Sequence, residues 1–127
     1  MPRQIIATDN APAAIGPYAQ GILSAGFLFT SMQIALDPKT GDLVGDTAPE
    51  QIRQCLGNLA AILEAAGGSL NDIVKTTVYL MDMAEFTAVN DAYAEFFTRD
   101  LPARGVLQAA ALPKAARVAV EAIARIG

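Results

Sequence analysis

Arg104 and Glu121 are the residues best suited to chemistry. Arg104 follows Leu101-Pro-Ala103 at the head of the stretch Gly105-Val-Leu-Gln108, and Glu121 interrupts the apolar run Val118-Ala-Val-Glu-Ala122. A guanidinium offers a planar fork of donors that matches a carboxylate. A carboxylate inside an apolar strand is costly unless it is paired or used. Together, a fixed cation and a carboxylate can hold an anionic substrate and move a proton. Plainer readings stay open at this point. Arg104 fits a surface or subunit-interface ion pair, and Glu121 fits an outward carboxylate paired with Arg117 or Arg125. If the two stretches form a hairpin turning at Leu112-Pro-Lys114, Arg104 lies about three residues along from the position opposite Glu121, roughly 10 Å. That gap suits a small α-keto or α-imino acid and one water. A one-residue slip in register would send one of the two side chains to the other face.

Two absences narrow the chemistry further. There is no histidine, which excludes Ser–His catalysis, a histidine base and histidine-ligated metals. The single cysteine, Cys55, precludes an intrachain disulfide or a CxxC site and reads as a core thiol. Tyr18 stands among turn residues, where a tyrosine commonly packs its ring. Asn90 falls on the apolar stripe of a helix and needs a polar partner, so it reads as an amide that holds a loop.

The elements that must position these groups follow from periodicity. Residues 3–7 read as a strand, and Ser24-Ala-Gly26 as the turn between strands at 17–24 and 27–34. Asp37-Pro-Lys-Thr-Gly41 is a surface turn. Thr47-Ala-Pro-Glu50 forms a capping box for a helix whose stripe is Ile52, Cys55, Leu56, Leu59, Ile62, Leu63 and Ala66, ended by Gly67-Gly68. Asp72 to Leu80 alternates as a strand rich in β-branched residues. Asp82-Met-Ala-Glu85 opens a second helix with the stripe Phe86, Val89, Tyr93, Phe96 and Phe97. The last two strands follow. This order predicts a single α+β domain over residues 1–127, a mixed sheet with both helices on one face. The other face must then be covered, and an apolar content of 53% agrees with burial between subunits. A net charge of −4 with no basic stripe argues against nucleic acid. The apolar runs are too short to span a bilayer. Met1-Pro-Arg-Gln4 does not open a signal peptide, so a cytoplasmic protein is expected.

The chain resembles the RidA (YjgF/UK114) family of reactive-intermediate deaminases. The resemblance rests on Pro102-Ala-Arg104 with the following strand and Val120-Glu-Ala122. It extends through Ile15-Gly-Pro-Tyr-Ala-Gln-Gly21, Phe29-Thr-Ser31, Gln33-Ile34, Asp37 to Gly41, Asn58-Leu59, Ile62 to Gly67, Asp72 to Leu80, Phe86, Val89-Asn90, Tyr93 and Phe96-Phe97. It implies a RidA/chorismate-mutase-like fold assembled as a homotrimer around a central barrel. It also implies a hydrolytic deaminase that converts 2-iminobutanoate or 2-iminopropanoate to the 2-keto acid and ammonia. Arg104 then binds the carboxylate and Glu121 holds the attacking water. Tyr18, Ser31, Asn90 and the backbone near Val106 complete the pocket, with no metal and no cofactor. Three departures stand out. Met32 replaces the glycine that usually follows the serine, Gly105 follows the arginine, and Val106 occupies a position that is often cysteine. They keep two alternatives in view: a trimeric keto-acid binder without turnover, and a relative that acts on another substrate such as an aminoacrylate.

Overall fold

The computed structural model describes residues 2–127. The elements come in the order that periodicity predicts: β1 (Gln4–Ile6), β2 (Gly21–Ser24), β3 (Phe27–Thr30), α1 (Ala48–Ala65), β4 (Ile73–Leu80), α2 (Phe86–Ala94), β5 (Ala103–Gln108) and β6 (Val118–Arg125). They build one six-stranded sheet in the order β1-β2-β3-β6-β4-β5. Among the described residues only β4 and β5 pair in parallel, across α2; the other neighbours are antiparallel.

Thr47 starts α1. Its hydroxyl accepts the Glu50 amide at 3.3 Å, while the Glu50 carboxylate accepts the same hydroxyl at 2.9 Å. Pro49 sits in the first turn, where its missing donor costs nothing. Ile52, Cys55, Leu56, Leu59, Ile62 and Leu63 are buried as their spacing predicts. They share one core with Val89, Tyr93 and Phe97 of the α2 region and with Leu28, Val78, Leu80, Val118, Val120, Ala122 and Ala124 of the sheet. Both helices therefore cover one face. On the opposite face Ile5, Phe29 and Leu107 remain 67%, 46% and 46% exposed.

The expected C-terminal hairpin is not formed. β4 lies between β5 and β6, so the last two strands never pair. The connection explains why. Residues 109–117 are too many for a tight turn, and their single helical turn at Pro113–Ala115 carries the chain past the end of β4. Met81 donates to the Arg117 carbonyl at 3.0 Å as the chain returns. The strands predicted at 17–24 and 27–34 are also shorter. Gly16-Pro17 turns the chain, with Tyr18 N bonded to Gly16 O at 2.9 Å, so β2 begins only at Gly21.

Two bulges set the facing of later residues. Between the pairs Phe29↔Ile123 and Gln33↔Val120, four steps on one chain oppose three on the other. A second irregularity falls between Ile73 and Lys75, and it leaves Val74 exposed where simple alternation groups it with the buried Thr76 and Val78. Among the described residues, no helix is long and apolar enough to cross a membrane.

Candidate functional site

Arg104 lies on β5, an edge strand of the sheet. It pairs with Thr76 of β4, which turns its side chain to the helix face. There Arg104 Nη1 donates to Asn90 Oδ1 at 2.7 Å. Phe86, Asn90 and Tyr93 follow helical spacing on α2, so all three reach the same side chain. The guanidinium carbon lies 4.9 Å from the centre of the Tyr93 ring and 5.7 Å from that of Phe86. Tyr93 is itself fixed by a 2.8 Å bond between its hydroxyl and that of Thr76, both buried. Burial holds the Tyr93 phenol above its ordinary pKa, opposed by the Thr76 bond and the Arg104 charge. A cavity of about 400 Å³ opens here, lined by Asn90, Tyr93, Phe97, Leu101, Pro102 and Arg104. Among the described residues Arg104 makes no ion pair, which overturns the intrachain ion-pair alternative.

Tyr18 and Ser31 form a second group. The buried Gln20 anchors the loop before β2. Its Nε2 donates to the carbonyls of Thr8, Ala11 and Pro12 at 3.0, 3.3 and 2.7 Å, and its Oε1 accepts the Thr8 amide at 2.7 Å. The Tyr18 hydroxyl accepts the Ile15 amide at 3.3 Å, and its ring remains half exposed rather than packed in the core. Ser31 occupies the bulge after β3. Its hydroxyl donates to Ala19 O at 2.5 Å, which leaves its own oxygen able to accept. Tyr18, Ser31, Met32, Ile34 and Lys114 line a cavity of about 540 Å³, with the Met32 side chain beside Ser31.

Glu121 stands apart from both. The rows Arg104–Thr76–Ala122 and Gly105–Thr77–Glu121 run across the sheet next to each other. Residues within a row share a face, and successive rows alternate. Arg104 and Glu121 therefore point to opposite faces, which overturns the close pairing expected from a hairpin. Glu121 projects onto the open face. Its Oε1 accepts the Tyr79 hydroxyl at 2.7 Å, beside a cavity of about 340 Å³ lined by Phe29, Lys75, Thr77 and Ile123. Neither proposed ion partner reaches it. Arg117 pairs with Glu85 at 2.9 Å, and Arg125 donates to Ala25 O at 3.3 Å above the Phe27 ring. Val106, in the row of Val78 and Val120, packs its side chain against the core, so only its backbone is available to a ligand.

One chain thus places Arg104 with Asn90, Tyr18 with Ser31, and Glu121 alone with Tyr79. Asn90 is expected in the pocket from the resemblance, whereas the stacking of Arg104 on Phe86 and Tyr93 is not anticipated, although their spacing with Asn90 on one helix face could have signalled it. No sequence signal links Tyr79 to Glu121, because their contact depends on the register of β4 against β6. Among the described residues, no cluster of Cys, Asp or Glu is arranged to hold a metal ion.

Comparison with known proteins bears on the arrangement. Residues 8–126 match the family described as Endoribonuclease L-PSP. A RutC family protein of Pyrococcus horikoshii is 50% identical over 122 residues, which span 96% of this chain and 97% of that protein. The 2-iminobutanoate/2-iminopropanoate deaminase of Escherichia coli K12 is 50% identical over 122 residues, 94% of each chain. The crystal structure of Escherichia coli TdcF with bound serine superposes with a TM-score of 0.92 at 42% identity, covering 98% of this chain and 99% of the other.

Proposed function

The chain belongs to the Endoribonuclease L-PSP family, which includes the RidA deaminases, and from that premise we propose that it hydrolyses small 2-imino acids to 2-keto acids and ammonia. The structural observation that carries this reading is Arg104. Its guanidinium is stacked on Tyr93 and held by Asn90, yet it has no carboxylate partner among the described residues. A preorganised, unpaired arginine at a cavity is suited to a substrate carboxylate. The serine bound by TdcF carries such a carboxylate.

The imine C=N carbon is already electrophilic. Water attacks it while Glu121 takes the water's proton and returns one to nitrogen. The carbinolamine hydroxyl then passes its proton, through Glu121, to the amine nitrogen, the C–N bond breaks, and ammonia leaves as the carbonyl forms. The Ser31 and Tyr18 oxygens, with the backbone around Val106, orient the imine. Rate enhancement then comes from orientation and a single acid–base group.

Arg104 and Glu121 face opposite ways in one chain, which supports a site built from more than one subunit. A homotrimer packed through the open faces of its sheets covers Ile5, Phe29 and Leu107. It also brings the Glu121 side of one chain toward the Arg104 edge of the next. The number three is what the resemblance to RidA proteins implies. The family description names a ribonuclease, but a net charge of −4 and the lack of histidine do not suit RNA cleavage.

A second reading, a carboxylate binder without turnover, draws on the serine in TdcF, which has a carboxylate but no imine. One assay separates the two. An amino-acid oxidase generates 2-iminopropanoate in the presence of semicarbazide, and semicarbazone formation is followed. A deaminase suppresses it at catalytic protein concentrations, whereas a binder does so only stoichiometrically. Stoichiometric suppression alone would overturn the deaminase reading.

A further inference from the structure

We propose that Tyr79 is a positioning residue that holds the Glu121 carboxylate in place to handle water. The inference rests on the reading of Glu121 given above and goes beyond it. Thr77 lies directly opposite Glu121, and Tyr79 lies opposite Ala119. Tyr79 is thus the diagonal neighbour of Glu121 on the same face, a separation that an aromatic side chain can bridge.

The ring has its own anchor, packing against the small apolar cluster of Ile34, Ala116 and Ala119. Its hydroxyl is thereby carried to Glu121 Oε1 at 2.7 Å, within the range of a charge-assisted O–H···O⁻ bond. The carboxylate keeps free acceptor sites on Oε2, since Tyr79 is its only hydrogen-bond partner among the described residues. One oxygen is fixed and the other is available to a water. A glutamate loses much rotamer freedom when it is ordered, and Tyr79 supplies that order before substrate arrives. The bond to Glu121, followed by burial and the carboxylate's charge, holds the Tyr79 phenol above its ordinary pKa, so it remains a donor at neutral pH.

The structural alternative is that Tyr79 only packs on Ile34, Ala116 and Ala119. Tyr79→Phe separates the two readings because it keeps the ring and removes only the hydroxyl. Tyr79→Phe, Glu121→Gln and the double variant are compared in the imine-trapping assay, with 2-keto acid affinity measured by calorimetry and folding by thermal unfolding. Tyr79→Phe is expected to keep KM and keto-acid affinity within about twofold and to lower kcat about tenfold. In the Glu121→Gln background, adding Tyr79→Phe is expected to cost nothing further. Wild-type kcat in folded Tyr79→Phe would overturn the proposal, as would an equal loss in both backgrounds. Slow Glu121→Gln beside fast Tyr79→Phe removes this inference alone. Full turnover in folded Glu121→Gln removes the role of Glu121 and this inference with it.

Discussion

In the proposed function Arg104 supplies the fork that receives the carboxylate in ground state and transition state alike, and removing its side chain takes that fork away. A lost charge-assisted contact of this kind costs about 1.5–3 kcal/mol. Arg104→Ala is therefore expected to abolish measurable keto-acid binding in calorimetry and nearly all deamination. Arg104→Lys should restore little, because an ammonium cannot bond Asn90 and a carboxylate in one plane or stack on Tyr93. In the proposed reaction Glu121 handles water and not the carboxylate. Glu121→Gln should keep affinity within severalfold while turnover falls by about 10². Loss of both in Glu121→Gln would make it a structural partner of the pocket. Cys55 is a different case. It is fully buried, and burial pushes its thiol up from 9.0 to about 12. The folded state thus keeps the thiol's proton longer than the unfolded chain does. That contribution to stability is complete below pH 9 and is lost as pH rises from 9.0 toward about 12. Cys55→Ala should make the alkaline fall in Tm shallower and leave turnover unchanged. Inactivation of folded protein by a thiol reagent at neutral pH, abolished in Cys55→Ala, would contradict this.

The elements carry the site through bulges and turns more than through their length. The bulge after β3 sets Ser31 against Ala19, and Gln20 ties the loop bearing Tyr18 to the sheet. Between β2 and β3 the two-residue turn has Ala25 at φ 52° and Gly26 at φ 83°. Both are left-handed, the pattern whose twist matches a hairpin. Glycine accepts this conformation freely, but alanine pays a steric cost of about 1 kcal/mol. Ala25 is exposed, so nothing else constrains the choice. Ala25→Asn is expected to raise stability by about 0.5–1 kcal/mol in denaturant unfolding, and Ala25→Val to lower it, with activity unchanged in both. A neutral Ala25→Val would mean that the turn relaxes out of this conformation.

For the whole molecule, the uncovered sheet face and the site proposed to be shared between subunits lead to the same prediction. Ile5, Phe29 and Leu107 leave apolar surface on the face that also holds Glu121. Light scattering is expected to give the mass of a trimer. A charge at Phe29 or Leu107 should dissociate it, and activity should fall with the loss of association because Arg104 and Glu121 no longer meet. An active monomer would refute both the assembly and the shared site.

Much of this was legible in the residues themselves. Stripes at helical spacing marked α1 and α2, β-branched alternation marked β4, and Gly, Pro and capping residues marked the ends. Each of these depends on neighbours within a few positions of the chain. Arg104, Glu121, Tyr18, Ser31, Asn90 and Val106 could likewise be named as candidates, the last four through the resemblance to RidA proteins, because a motif is a property of the sequence. Their relative placement was not. Inserting β4 between β5 and β6 turns a local hairpin into a connection that passes over a strand, and the register of each against β4 puts Arg104 and Glu121 on opposite faces. Strand order and register are settled by which apolar faces bury together across the entire core. One residue of register inverts the facing of every side chain on a strand, and only the tertiary structure decides that.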